Sequence, residues 1–183
     1  MSIGKWVGIG AGWFFGGPIG AIIGYYIGKN FFTGKNDNEK AYEVSLLILA
    51  SLVIKADGKV RKEELNYVKE FFTRTFGLVK SKKYYEIFNT LNKQSLSSKL
   101  RAICLQLTQS INHASRLQII HFLFGVASSD NEIHQTEINV INKIATYLNV
   151  SSQDFQSISA MFIKGGSTID TYYKILEVDK NSS

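Results

Sequence analysis

Four carboxylates stand at matched places in two stretches of this chain, and clustered carboxylate oxygens are the ligands a hard divalent cation prefers. The first stretch, "ADGKVRKEELNYVKEFF", begins at Ala56, and the second, "SDNEIHQTEINVINKIA", begins at Ser129. An offset of 73 residues places Asp57 on Asp130, Val60 on Ile133, Glu64 on Glu137 and Val68 on Ile141. Each copy reads as a helix end, a turn of Asp followed by Gly or Asn, an apolar residue, and a new helix with Glu in its first turn. Two accounts fit this pattern. In one, Asp-Gly and Asp-Asn make the turns, the apolar residue staples each turn to the core, and Glu favours the positive end of a helix. In the other, Asp57, Glu64, Asp130 and Glu137 come together as oxygen ligands for Ca²⁺, Mn²⁺ or Mg²⁺.

Other chemistry is thin, and no catalytic constellation is expected. His113, His121 and His134 lack the HExxH spacing of a zinc protease, and no G-x-S-x-G occurs. His121 lies in an apolar run and is expected at the edge of the core; His134, beside the second turn, is the one candidate accessory ligand. Cys104 is the sole cysteine, which excludes an internal disulfide and a cysteine zinc site. Its setting, "AICLQL", predicts a packed structural thiol.

The elements that position these residues read as helices throughout. Strict alternation of β-branched residues is missing, and Pro18 is the only proline. The apolar periodicity predicts an all-α chain with helices over about 38–56, 61–76, 81–93, 97–111, 114–129, 134–148 and 152–163. Leu46, Leu49, Ala50 and Val53 form one stripe, and Leu117, Ile120, Phe124 and Ala127 another. Ser81, Ser97 and Ser151 sit where N-caps belong, and Gly77 where a helix C-terminus calls for glycine.

Charge divides the chain unevenly. Residues 1–101 hold sixteen Lys/Arg against eight Asp/Glu, whereas 102–183 hold five against seven. A basic half suits nucleic acid or an anionic membrane surface, but clusters such as "VKSKKYY" read as solvated helix faces, and no nucleic-acid partner is expected.

The N-terminal segment is of a different kind. Trp6 to Gly28 contains twenty-three residues and no charge. As a helix it would reach about 34 Å, against roughly 30 Å of hydrocarbon. Its strongly apolar side chains favour insertion by only about 2–5 kcal/mol. Gly8, Gly12, Gly16, Gly20, Gly24 and Gly28 recur every fourth residue and so share one stripe, the small-xxx-small surface by which membrane helices pack. A homodimer through this stripe is expected. Gly16-Gly17-Pro18 should kink the span or fold it into a hairpin. Lys29, Lys35 and Lys40 follow the span and only Lys5 precedes it, which places the bulk of the chain in the cytoplasm.

The paired turns, and above all "RLQIIHFLFGVASSDNEIHQTE", resemble the TerB-like domain of the tellurite-resistance family over about residues 40–163. That resemblance implies acidic residues that chelate a metal, at Asp57 and Glu64 in the first copy and Asp130, Glu132 and Glu137 in the second. The copies differ in one respect: Lys59 stands opposite Glu132, and Lys55, Arg61 and Lys62 crowd the first turn.

The final phrase, "DTYYKILEVDKNSS", resembles the opening of a DnaJ-type J domain. Asp170, Tyr172, Tyr173, Ile175, Leu176, Val178 and Ser182 fit that opening, and Glu177 replaces the usual glycine. A glycine-rich anchor at 1–34, a TerB-like domain at 38–164 and a J-like start at 165–183 follow the order of DjlA-type membrane-anchored co-chaperones. That family resemblance implies a bacterial inner-membrane protein whose J domain acts on a DnaK chaperone. The family's His-Pro-Asp motif would lie beyond Ser183. The alternative is a membrane-tethered TerB-like scaffold that binds metal and partners in a tellurite or stress response, without chaperone activity.

Overall fold

In the computed structural model, residues 17–22, 24, 25 and 37–163 are described, and all their regular elements are helices. Helix α1 spans Asp37–Ile54, α2 Lys62–Asn92, α3 Leu100–Ser110, α4 His113–Ala127, α5 Gln135–Tyr147 and α6 Ser152–Phe162, with a 3₁₀ turn at Ser97–Lys99. Gly77, at φ 80° and ψ 162°, breaks α2 into two helical segments, 62–76 and 78–92. The all-α expectation therefore holds, with helical segments close to those read from periodicity.

Two helices carry the core. Residues 44–54 of α1 and 122–127 of α4 are buried without interruption. An all-round apolar surface has nowhere to go but the interior. Helix α1 packs on α2, α3, α4 and α5, and α4 packs on α1, α2, α5 and α6. Each fully buried Leu, Ile or Phe on them contributes about 1.5–3 kcal/mol. The two serines within the buried run of α1 are satisfied internally: Ser45 Oγ donates to Ala41 O at 2.6 Å and Ser51 Oγ to Ile48 O at 2.8 Å. The outer helices are amphipathic, and α2 lays an aromatic seam on α4 in which the Phe71 and Phe122 rings lie 4.3 Å apart.

Two of the expected caps are corrected. Ser81 is buried inside α2, its Oγ donating to Leu78 O at 3.0 Å, because the helix resumes directly after the Gly77 break. Ser97 opens the 3₁₀ turn rather than α3, and α3 begins at Leu100 without a side-chain cap. Ser151 does cap α6, its Oγ accepting from Asp154 N–H at 3.1 Å.

Part of the N-terminal segment is seen against this body. Residues 17–22, 24 and 25 are helical, and Gly17 has a φ of 58°. Glycine adopts this left-handed conformation without strain. Ile19 and Ile22 are buried in the common core, and Ile19 N–H donates to Gln106 Oε1 at 2.9 Å. Gly20 and Gly24 are buried as well. Among the described residues no helix is long and apolar enough to cross a membrane. Gly8, Gly12, Gly16 and Gly28, and the J-like phrase from Asp170 onward, lie outside the described residues.

Candidate functional site: two acidic turns around one arginine

The two turns are built alike, bond for bond. After α1, Asp57 Oδ1 accepts from Lys59 N–H at 2.9 Å around Gly58, whose φ is 80°. After α4, Asp130 Oδ1 accepts from Glu132 N–H at 3.1 Å around Asn131, whose φ is 68°. In both turns the residue between is left-handed, and Gly and Asn tolerate that conformation best. Arg61 then caps α2, with its N–H donating to Glu64 Oε2 at 2.8 Å; His134 caps α5, with its N–H donating to Glu137 Oε2 at 2.8 Å. The offset of 73 read from the sequence is thus a structural repeat. The staple differs between copies. Ile133 packs against the core, but Val60 is 48% exposed.

Because α1 and α4 lie side by side, the turns meet. The guanidinium of Arg61 sits between them, with Nη2 2.7 Å from Asp57 Oδ2 and Nε 2.9 Å from Asp130 Oδ2. Nη2 also lies 2.6 Å from His134 Nε2, which is itself 3.8 Å from Asp57 Oδ2. A guanidinium has no acceptor, so Arg61 is the donor in its contact with His134. The hydrogen bond from Lys59 N–H, reinforced by Arg61, holds the Asp57 carboxyl below its ordinary value. The pairing with Asp57 likewise raises Arg61.

Behind this charged layer, Glu64 and Glu137 are almost wholly buried, at 1% exposure each. Burial pushes Glu64 up to about 7, and the neighbouring Glu137 carboxyl adds to the effect. Glu137 is raised by burial too, while its contact with Glu64 opposes that rise. Both buried carboxyls are thus pushed toward the protonated form. Glu64 Oε1 is a buried oxygen with no hydrogen-bond partner, an arrangement that costs least when the carboxyl is uncharged.

Asp57, Glu64, Asp130 and Glu137 do converge. Each Asp, however, commits one oxygen to its turn and the other to Arg61, and each Glu commits one to a cap. Glu132 is exposed and meets the cluster through its backbone N–H. Among the described residues no group of three or more His, Cys, Asp or Glu is arranged to hold a metal. A Ca²⁺ ion wants six to eight oxygens. With Arg61 in place the geometry does not fit one, because the guanidinium occupies the position between the two aspartates and supplies the positive charge itself.

Elsewhere the histidines and the thiol do structural work. His113 Nε2 lies 3.3 Å from Asp154 Oδ2 at the start of α6. His121 is exposed, with its ring edge-to-face on Phe162 at 4.9 Å, as expected at the margin of the core. Cys104 is fully buried, and burial pushes its thiol up to about 12, which leaves no thiolate for chemistry. One buried acid escaped the sequence reading. Glu43 is 0% exposed, bonded by the Tyr84 hydroxyl and faced by Lys80 Nζ at 3.6 Å. Its signal was an acid set directly ahead of the apolar run "VSLLILA".

The family model described as tellurite resistance protein TerB matches residues 43–160, and the one described as co-chaperone DjlA transmembrane domain matches residues 1–37. No curated protein and no solved structure matches the chain. Both acidic turns, the arginine between them and the buried glutamate pair all fall inside the first match, which spans well over half the sequence. The chain therefore belongs to the TerB tellurite-resistance family, in the DjlA-type arrangement that sets a transmembrane domain ahead of the TerB domain.

Proposed function

We propose that this chain is the membrane-anchored portion of a DjlA-type co-chaperone, with its TerB domain on the cytoplasmic side and a J domain that begins near Asp170 and acts on a DnaK chaperone. The observation that carries this reading is the order along the chain: a DjlA transmembrane match on 1–37, a TerB match on 43–160, then the J-like phrase "DTYYKILEV". The lysines flanking the span favour the cytoplasmic orientation, where a DnaK chaperone works. The TerB domain's part is recognition or regulation, since its acidic residues are engaged with Arg61 and with helix caps.

ATP turnover by DnaK tests this directly. The 183-residue chain is expected to leave turnover unchanged. A chain extended through the gene's downstream sequence is expected to stimulate it, and replacing the histidine of a downstream His-Pro-Asp motif is expected to abolish that stimulation. A downstream sequence without His-Pro-Asp, or stimulation by the 183 residues alone, would replace the co-chaperone reading with that of a membrane-tethered TerB scaffold.

We further propose that the anchor pairs with a second copy through its glycine stripe. Gly20→Leu combined with Gly24→Leu is expected to remove the dimer signal in a membrane two-hybrid assay while leaving insertion intact, because Leu favours insertion but blocks close approach. An undiminished signal would assign these glycines to packing within the chain, where both are buried.

A further inference from the structure

A cleft of about 550 Å³ opens where the end of α1, the 93–97 connection and α5 meet. That volume falls in the range of ligand sites, roughly 300–1,000 Å³. Its floor is apolar, made of Leu52, Leu100 and Val140, and three lysines line it from three separate elements: Lys55, Lys93 and Lys143. No Asp or Glu is among its lining residues. Among the described residues none of the three lysines has a carboxylate partner.

Lys55 is the telling member. It is half-buried, and its Nζ donates to the backbone carbonyl of Gln94 at 2.6 Å. Burial alone lowers its pKa, with no acid nearby to offset the effect. A half-buried ammonium bonded to a single carbonyl keeps two further N–H donors for an anion. The opposite arrangement occurs a few residues away, where Arg61 has two carboxylates to itself. A desolvated cation kept without a counter-charge, beside two exposed ones, draws an anion. The apolar floor between the cations adds a second requirement, which a bare inorganic anion does not meet.

We propose that this cleft binds an acidic peptide segment, with carboxylates on Lys55, Lys93 and Lys143 and an apolar side chain on the floor formed by Leu52, Leu100 and Val140. The proposal is independent of the chaperone reading, since it rests on the TerB domain alone.

Fluorescence anisotropy tests it with the full chain in detergent micelles and a labelled Glu-Glu-Leu-Glu-Glu peptide. Binding is expected at low salt and is expected to weaken as salt rises. Lys93→Glu with Lys143→Glu, both exposed and so neutral for folding, should weaken it by about tenfold or more, equivalent to about 1.4 kcal/mol. Replacing the peptide's glutamates by Gln should remove binding, and replacing its Leu by Ser should weaken it several-fold. Equal binding by the double variant, no binding at low salt, or indifference to the Leu would each overturn the proposal. So would equally strong, lysine-dependent binding of inorganic phosphate or of anionic vesicles, which would mark a surface that reads charge alone.

Discussion

Arg61→Ala is expected to lower the stability of the full chain by about 2 kcal/mol and to make it responsive to divalent cations. Removing the guanidinium leaves Asp57 and Asp130, which are only 11% and 15% exposed, facing each other without compensation. Breaking a buried pair costs about 3–5 kcal/mol, and partial exposure reduces that figure here. At this chain length the loss corresponds to roughly 4–8 °C in Tm. The vacated position lies between two aspartates, with Glu64 and Glu137 behind them, and offers the oxygens that the wild type commits to Arg61. Millimolar Ca²⁺ or Mn²⁺ is therefore expected to restore the variant's stability, by about 2.7 kcal/mol at a hundredfold excess over Kd. The wild type should show no such shift. Adding Asp57→Asn and Asp130→Asn to the variant should remove both the defect and the rescue. A metal-dependent Tm in the wild type would show that a cation binds alongside Arg61. A variant indifferent to every divalent ion would leave the acidic turns with no cation-binding capacity.

The second large effect concerns pH. Glu64 titrates at about 7 in the folded chain against an ordinary value of 4.5. The folded state thus holds a proton that the unfolded chain has released, so stability falls as pH rises between those values. The penalty is small near pH 5 and complete above pH 7, where it reaches on the order of 3 kcal/mol. Glu64→Gln retains both roles of the protonated acid. Its carbonyl accepts from Arg61 N–H, and its amide donates to Glu137 at any pH. The variant is expected to match the wild type near pH 5, to exceed it at pH 8, and to show a flatter Tm profile between. Profiles that run parallel from pH 5 to pH 8 would mean that the buried pair carries no shared proton. Asp57 does not confuse the test, because its lowered pKa places its own contribution below this window.

These two expectations rest on different kinds of information. The existence of both turns follows from short-range chemistry. Asp followed by Gly or Asn admits the left-handed residue each turn requires, and Glu three residues past the cap completes the helix start, so the repeat was legible before any packing was known. The same holds for α1 and α4, whose unbroken apolar runs leave burial as their only stable state, and for Cys104 on the apolar face of α3. The helix break at Gly77 was equally local.

What remained hidden depended on how helices far apart in the chain are set against one another. The sequence shows Arg61 as one of several cations crowding an acidic turn. Only the packing of α1 beside α4 carries its guanidinium onto Asp130 and His134, 69 and 73 residues further on, and so turns a candidate metal site into an internal ion pair. The raised pKa of Glu64 and of Glu137 arises in the same way, since each carboxyl alone is an ordinary helix-start residue and it is their burial between packed helices that raises both. Val60 and Ile133 occupy equivalent places in the repeat, yet only Ile133 finds core to cover it. The cleft lysines are separated by 38 and 50 residues, with no pattern linking them. Periodicity and turn chemistry encode each residue's own backbone and its preference for water or the interior. Which side chains then meet, and with what charge, is decided by the crossing of helices, because electrostatics acts through space and not along the chain.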